Sequence, residues 1–432
     1  MLQHNSPIVA KAKASELAYA LARSGLFHQE SPEQGTRNVP PWGPFHATME
    51  SESSTPVSTV AFNPIIMVKP TDPATVYTTL KRAKEAANSL GQQYILICFD
   101  MGLLTKAYEI AWAHPDDLGG IIPCEGGMHL LMSVFSAVGC LYGDAGLKQL
   151  LSESGVYAPG SIQQMLSGKD FDRALHGLLL VDEALNKRFL LQFKCWCEES
   201  NHLIPHEVNE VLSAYSEDIP MSDVVTQLTE VITGRLGELI ELFREYGRSC
   251  SPTFQFWDDF LMKVMCPLKV FLSTTRNGLW HENQIIKAEF LPLLFASNRT
   301  NHSRYLPVSL LTMCRLPSEV KAAFEQGEFV AKLSQGRFNA VWMDYTLEAT
   351  ENKSLKGTGG IVGLTLRGPA LARWFLARPV TAQYSMKFQE AIRFMGQKSK
   401  NKQPHQHHAA GNAAQKRWNA DVKKMTVMFD GA

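Results

Sequence analysis

The chain lacks a net charge: its 432 residues carry 42 Lys and Arg against 42 Asp and Glu. That balance removes any global pull towards nucleic acid or an anionic membrane surface. Cysteine is sparse, with eight in the whole length, which excludes a disulfide framework. Half of them lie among apolar neighbours (Cys98, Cys140, Cys266, Cys314) and read as small core residues. A reducing interior compartment fits this usage. No sustained apolar run opens the chain between Met1 and Arg37, so no signal peptide is read. The longest weakly polar run, His129 to Tyr142, is too short to cross a bilayer. The expectation is a soluble intracellular protein, nuclear rather than cytoplasmic. No internal repeat shows.

What is present is core-forming material. Hydrophobic residues make up 45% of the sequence, and the length suits two or three domains. Charge is locally uneven. Cys197 to Glu245 holds eleven acids against two bases, and Lys387 to Lys424 holds nine bases against two acids. The first reads as a solvated helical surface, the second as a cationic tail.

The most informative stretch is Gln92 to Gly127. An apolar run, Tyr94 to Phe99, stops at Asp100; a helical segment, Leu103 to His114, follows; a second apolar run, Gly119 to Cys124, leads into Glu125-Gly126-Gly127-Met128-His129. Upstream, Ser53 to Pro70 is strand-like, with Val57, Val60, Phe62, Ile65, Ile66 and Val68. Asp72 then caps a helix that carries Pro73 in its first turn and runs to about Leu90. Strand and helix alternate three times, which predicts a parallel α/β layer. From His129 to about Gln326 helical periodicity takes over, including Phe171 to Glu199, Met221 to Tyr246, Thr253 to Ser273 and His281 to Phe295. Gly327 to Asn339 reads as a short extended pair and Ala340 to Lys353 as a helix. After Gln397 the composition is low-complexity and reads as disordered. A final amphipathic piece, Ala414 to Phe429, either docks or floats. Ile8 to Leu26 is helical and, with the polar stretch after it, reads as an arm.

Several residues invite chemistry. Asp100 ends an apolar strand, where α/β folds hold acids for metal or substrate; it is equally placed to cap the next helix. Asp344, Glu348 and Asn352 share one face of the expected helix and offer oxygen ligands to a hard cation, or simply form a solvated stripe. His129 opens an apolar helix, as a ligand or acid–base group, or as a structural histidine bonded to backbone. Gly126-Gly127 implies a tight turn or a close backbone approach. Lys106 is the basic side chain nearest to Asp100 in sequence. Cys195, Cys197, His202 and His206 are zinc-ligand types at a spacing that suits no standard finger. Gly357-Thr358-Gly359-Gly360 follows a helix rather than preceding one and is not a phosphate loop.

Taken together, Phe99-Asp100 with Lys106-Ala107, Gly126 to Leu131, Gly143 to Leu147, Asn301 to Pro307, Asp344 through Glu348 to Asn352, and Lys356 to Thr365 with Arg373-Trp374 resemble a family of repetitive, transposon-associated chains of animal genomes. The resemblance runs from about Val57 to Gln389 and brings no activity with it. A weaker one, carried by the strand-end Asp, Lys106-Ala107, Cys124 and His129-Leu130-Leu131, is to hAT-type transposases. It implies an RNase H-like core interrupted by a helical insertion, with Asp100 as second catalytic acid, Glu348 or Asp344 as third, and Mg²⁺ or Mn²⁺ between them. The first acid of such a site has no counterpart, because no Asp precedes Asp72.

The sequence therefore leads to these expectations. The fold is an RNase H-like α/β core (53–140 and 327–390) interrupted by an all-helical insertion (141–326), with an N-terminal arm (1–52) and a basic tail (391–432). The function is that of a transposon-derived DNA-binding protein whose strand-cleavage site is incomplete. The alternative is a non-catalytic interaction protein that uses the helical block as a scaffold. A metal-dependent hydrolase of small phosphate esters is a third reading.

Overall fold

The computed structural model describes residues 7–27, 39–49, 52–59, 66, 68–213, 221–349 and 412–429, with five positions between 368 and 376. The expectations for Asn352, the 356–360 glycines and the basic run after 397 lie outside the described residues until Asn412.

Strands β1 (Glu52–Ser53), β2 (Ile95–Phe99), β3 (Ile121–Glu125), β4 (Ala331–Lys332), β5 (Gly336–Arg337) and β6 (Ala340–Val341) form three separate two-stranded pairs. β2 and β3 run parallel, with Ile95 opposite Ile121 and Phe99 opposite Glu125. The other pairs, β1 with β5 and β4 with β6, are antiparallel and two residues long. The β2–β3 pair is apolar on both sides because helices cover both faces. Side chains alternate across the pleat. Ile97, Phe99 and Ile121 meet Val76, Leu80 and Ala107 from helices Pro73–Ser89 and Met101–Ala113. Tyr94, Leu96, Cys98, Ile122 and Cys124 meet Trp280, Met313 and Phe324 on the opposite side.

The bulk of the molecule is helical, and the helical part holds the main core. One continuous apolar cluster joins Leu21, Leu131, Phe135, Leu180, Phe193, Leu228, Phe271 and Leu294, all buried. Helix Gly127–Tyr142 runs through its middle, with Leu130, Leu131, Val134, Phe135 and Val138 fully enclosed. With the kinked segment and short helix that continue it to Glu153, this helix is long and apolar enough to cross a membrane by composition. Its buried side chains are covered by other helices of the same chain. Helix Phe171–Glu199 has the bounds that its periodicity predicts. A buried ion cluster ties helices together: Lys269 Nζ lies 2.9 Å from Asp182 and 3.8 Å from Glu16.

Three expectations are corrected. First, about 74% of the structure is helical and there is no RNase H-like core sheet. One parallel strand–helix–strand unit is present; among the described residues no third strand joins it, and 57–59 carry no strand. The relation of the parts is thus inverted: the helical block is the core, and the strand pair is a satellite packed on it. Second, the segment read as an arm is helix Pro7–Ser24. Its Val9, Ala18 and Leu21 are buried in the main cluster. Third, Ala340 to Lys353 is not one helix. It begins as β6, turns at Trp342, and forms the short helix Met343–Leu347. Helix Thr300–Cys314, with Pro307 inside, is an element the periodicity did not show. The last helix, Asn412–Met428, docks through Trp418, Val422 and Met425.

Candidate functional site

Parallel strands place their C-terminal ends, and the N-termini of the helices that follow, at one edge. At this edge β2 leads into helix Met101–Ala113 and β3 into helix Gly127–Tyr142. The first turn of a helix presents unpaired N–H groups and the positive end of its dipole. Both turns here are met by carboxylates. Asp100 Oδ1 accepts from the N–H of Leu103 at 2.9 Å, so Asp100 caps its own helix. The second helix has Gly126 at its cap position, which has no side chain to offer. Its cap comes from across the chain. Asp344 Oδ1 accepts from Met128 N–H at 3.3 Å, and Oδ2 accepts from His129 N–H at 3.1 Å.

The same Oδ2 lies 2.9 Å from His129 Nδ1. Asp344 is almost fully buried, whereas His129 leaves 26% of its side chain exposed. The hydrogen bond to Asp344 holds the imidazole above its ordinary pKa. Burial opposes this, and the charges of Asp344, Asp100 and Glu348 add to it. The two glycines are explained by the same contact. A Cβ on Gly126 would run into the Asp344 carboxylate, and one on Gly127 into the Trp342 indole.

Behind this layer lies a second polar group. Glu125, the last residue of β3, is buried and receives Lys287 Nζ at 2.9 Å and the Ser309 hydroxyl. One turn along the helix from His129, the Ser133 hydroxyl contacts His302, at 3.1 Å from Nδ1. Burial pushes the His302 pKa down to about 4, helped by the neighbouring His129 and Arg299. Two histidines thus sit in one region with opposite tendencies, one towards the cation and one towards the neutral ring. Lys287, Ser309 and the role of His302 are not visible in the sequence, since each sits on a helix far along the chain from the strand pair; Ser133, one turn beyond His129, carries no signal of its own. A buried Glu directly after Cys124 is the one signal that asked for a cation.

The residues singled out from sequence fall as follows. Asp100, Asp344 and Glu348 all act electrostatically on His129, so the structure brings these four to one edge. Lys106 turns instead to the Thr71 carbonyl. Asn352 is not among the described residues. The donors do not fit the expected Mg²⁺ or Mn²⁺ pair. Asp100 and Asp344 both spend oxygens on helix N–H groups, and among the described residues no three His, Cys, Asp or Glu side chains are placed to hold a metal ion. Nor is the Gly126-Gly127 turn open to an outside anion: the first-turn N–H groups that bind phosphates elsewhere are taken by Asp344. The geometry describes an internal lock.

Asp344→Ala removes a helix cap and leaves a largely buried histidine without its partner. The expected cost is about 2–4 kcal/mol near pH 6. The folded-state pKa of His129 is raised, so the pair's contribution is complete below the unfolded value of about 6.5 and is lost as pH rises through the folded value. Urea unfolding should therefore show a smaller difference between wild type and Asp344→Ala at pH 8.5 than at pH 6. A difference that grows with pH would contradict the assignment.

No curated protein and no solved structure matches the chain. A family model described as a domain of unknown function, DUF8702, matches residues 41–432. That span takes in the strand pair, the capped helix and Asp344 alike, and the chain belongs to the DUF8702 family.

Proposed function

We propose that this chain is a non-catalytic interaction protein whose helical block receives a cationic, amphipathic segment of a partner. The observation that carries this reading is a groove of about 580 Å³ between helices Phe171–Glu199, Arg235–Cys250 and Pro252–Phe260. Trp196, Phe243, Tyr246, Phe254 and Trp257 line it. Tyr246 stands half exposed, and aromatic side chains in a partly enclosed groove are typical binding anchors. The surroundings carry acids: Glu199 lines the groove beside Arg188, and Glu198 and Glu245 are exposed on its helices. The nearby Arg244 and Arg248 are turned onto Asp258 and Asp259. Apolar walls with an acidic surround complement an amphipathic helix of leucine and lysine.

A fluorescein-labelled amphipathic Leu/Lys peptide tests the reading by fluorescence anisotropy, against a Leu/Glu peptide of the same spacing. The Leu/Lys peptide is expected to bind. Tyr246→Lys, which keeps the fold because the side chain is at the surface, should weaken it about tenfold, equal to 1.4 kcal/mol. Equal binding of both peptides, or no effect of Tyr246→Lys, would remove this reading.

A second reading, a DNA-binding protein, draws on the last helix. Opposite its docked face it exposes Lys416, Arg417, Lys423 and Lys424. Each phosphate contact contributes about one unit to the dependence of log affinity on log salt. Replacing all four with Gln should lower that slope by about 4 on duplex DNA. Absence of any salt-dependent affinity in the wild type would exclude this reading.

A further inference from the structure

Cys98 and Cys124 are register partners on β2 and β3, both on the face turned to Trp280. Their sulfurs lie 2.9 Å apart, and neither is in a disulfide. Adjacent strands are spaced about 4.8 Å apart, inside the Cα separation of roughly 4.4–6.8 Å that disulfides span. An S–S bond of about 2.05 Å asks the sulfurs to close by only about 0.9 Å. Of the other six thiols, Cys140, Cys195, Cys250 and Cys314 are exposed and Cys197 and Cys266 are buried, while Cys124 is buried and Cys98 half-buried.

A cavity of about 40 Å³ adjoins the pair, bordered by both thiols, Glu125, Trp280, Gln284 and Lys287. This is room for roughly one water-sized molecule. Its lining is part apolar (Leu96, Met313, Phe324) and part polar, and the buried Trp280 Nε1 and Gln284 Oε1 have no hydrogen-bond partner among the described residues. A small hydroperoxide matches the size and can bond to these two atoms.

We propose that Cys98 and Cys124 form a redox-active dithiol, which hydrogen peroxide converts to an intramolecular disulfide across the β2–β3 pair. The hydrogen bond to Cys98, together with burial, holds the Cys124 thiol in its protonated form. Cys98, half-buried where Cys124 is buried, is the sulfur an incoming peroxide reaches first and is the first nucleophile. Its thiolate attacks one peroxide oxygen, the O–O bond breaks, and the departing hydroxide takes a proton and leaves as water. Cys98 is then a sulfenic acid. The Cys124 sulfur attacks the Cys98 sulfur and gives up its proton, the S–O bond breaks, and a second water leaves. The two sulfurs lose two electrons in all and the peroxide gains them. The bond would fix the strand ends that lead to Asp100 and to Gly126.

The test treats the full chain with a few-fold molar excess of hydrogen peroxide, then alkylates it under denaturing conditions and maps the peptides by mass spectrometry. The expected product is one cross-linked peptide pair containing Cys98 and Cys124, lighter by two hydrogens and restored by dithiothreitol. It should form at lower peroxide than any modification of the four exposed cysteines. Cys98→Ser and Cys124→Ser should each abolish it, with circular dichroism confirming the fold. If the exposed cysteines oxidise while Cys98 and Cys124 remain fully alkylated, the proposal is overturned. Sulfinic or sulfonic acid at Cys98 without the cross-link would also overturn it.

Discussion

The Asp344 carboxylate caps the helix that leads from the strand pair into the helical core. It accepts from two backbone N–H groups at the start of helix Gly127–Tyr142 and from the ring of His129. That helix runs through the main core, and its N-terminus would otherwise carry buried donors with no partner, a serious cost for a buried backbone. The carboxylate arrives from a segment more than two hundred residues later, directly after β6. Local stability at the strand edge and the long-range path of the chain thus meet at one side chain. Gly126 and Gly127 leave the space that this approach needs, and the Trp342 indole fills the rest.

The arrangement explains how a two-stranded parallel pair persists. Such a pair is marginal alone. Here helices cover both faces, and a buried leucine such as Leu80 or Leu104 contributes about 2 kcal/mol. The C-terminal edge, the usual place for a ligand, is closed from within. Asp100 and Asp344 take the two helix N-termini, and Glu125 takes Lys287 and Ser309. Acids at strand ends are a resource for catalysis in many α/β proteins. In this chain they complete helices and neutralise buried cations. Half-exposed aromatic side chains such as Tyr246 lie on the helical block.

The sequence made legible what is local. Asp72 caps its helix as its position before Pro73 indicates. Phe171–Glu199 follows from its long apolar period, and the close approach at Gly126-Gly127 follows from the absence of side chains. The bland alternative for Asp100, a helix cap, describes its hydrogen bond. What failed was the step from strand–helix alternation to a sheet. Two apolar runs buried on both faces look the same whether helices or further strands extend the layer. Ala340 to Lys353 was misread because β6 and its turn are too short to interrupt a helical pattern. Thr300–Cys314 was missed because Pro307 usually ends a helix. The partner of a cap two hundred residues away leaves no local trace at all: His129 could be read as structural, but not as the partner of Asp344.

The most direct test of the account is residue-resolved hydrogen exchange at the amides of Met128 and His129. First-turn amides of a helix without a cap have no intrahelical acceptor and exchange readily. With the Asp344 carboxylate seated on them, both should exchange at least about a hundredfold more slowly than an unprotected amide, at rates set by opening of the core. Exchange of both at unprotected rates in the wild-type chain would show that Asp344 does not hold this helix, and the account of the strand edge would fail with it.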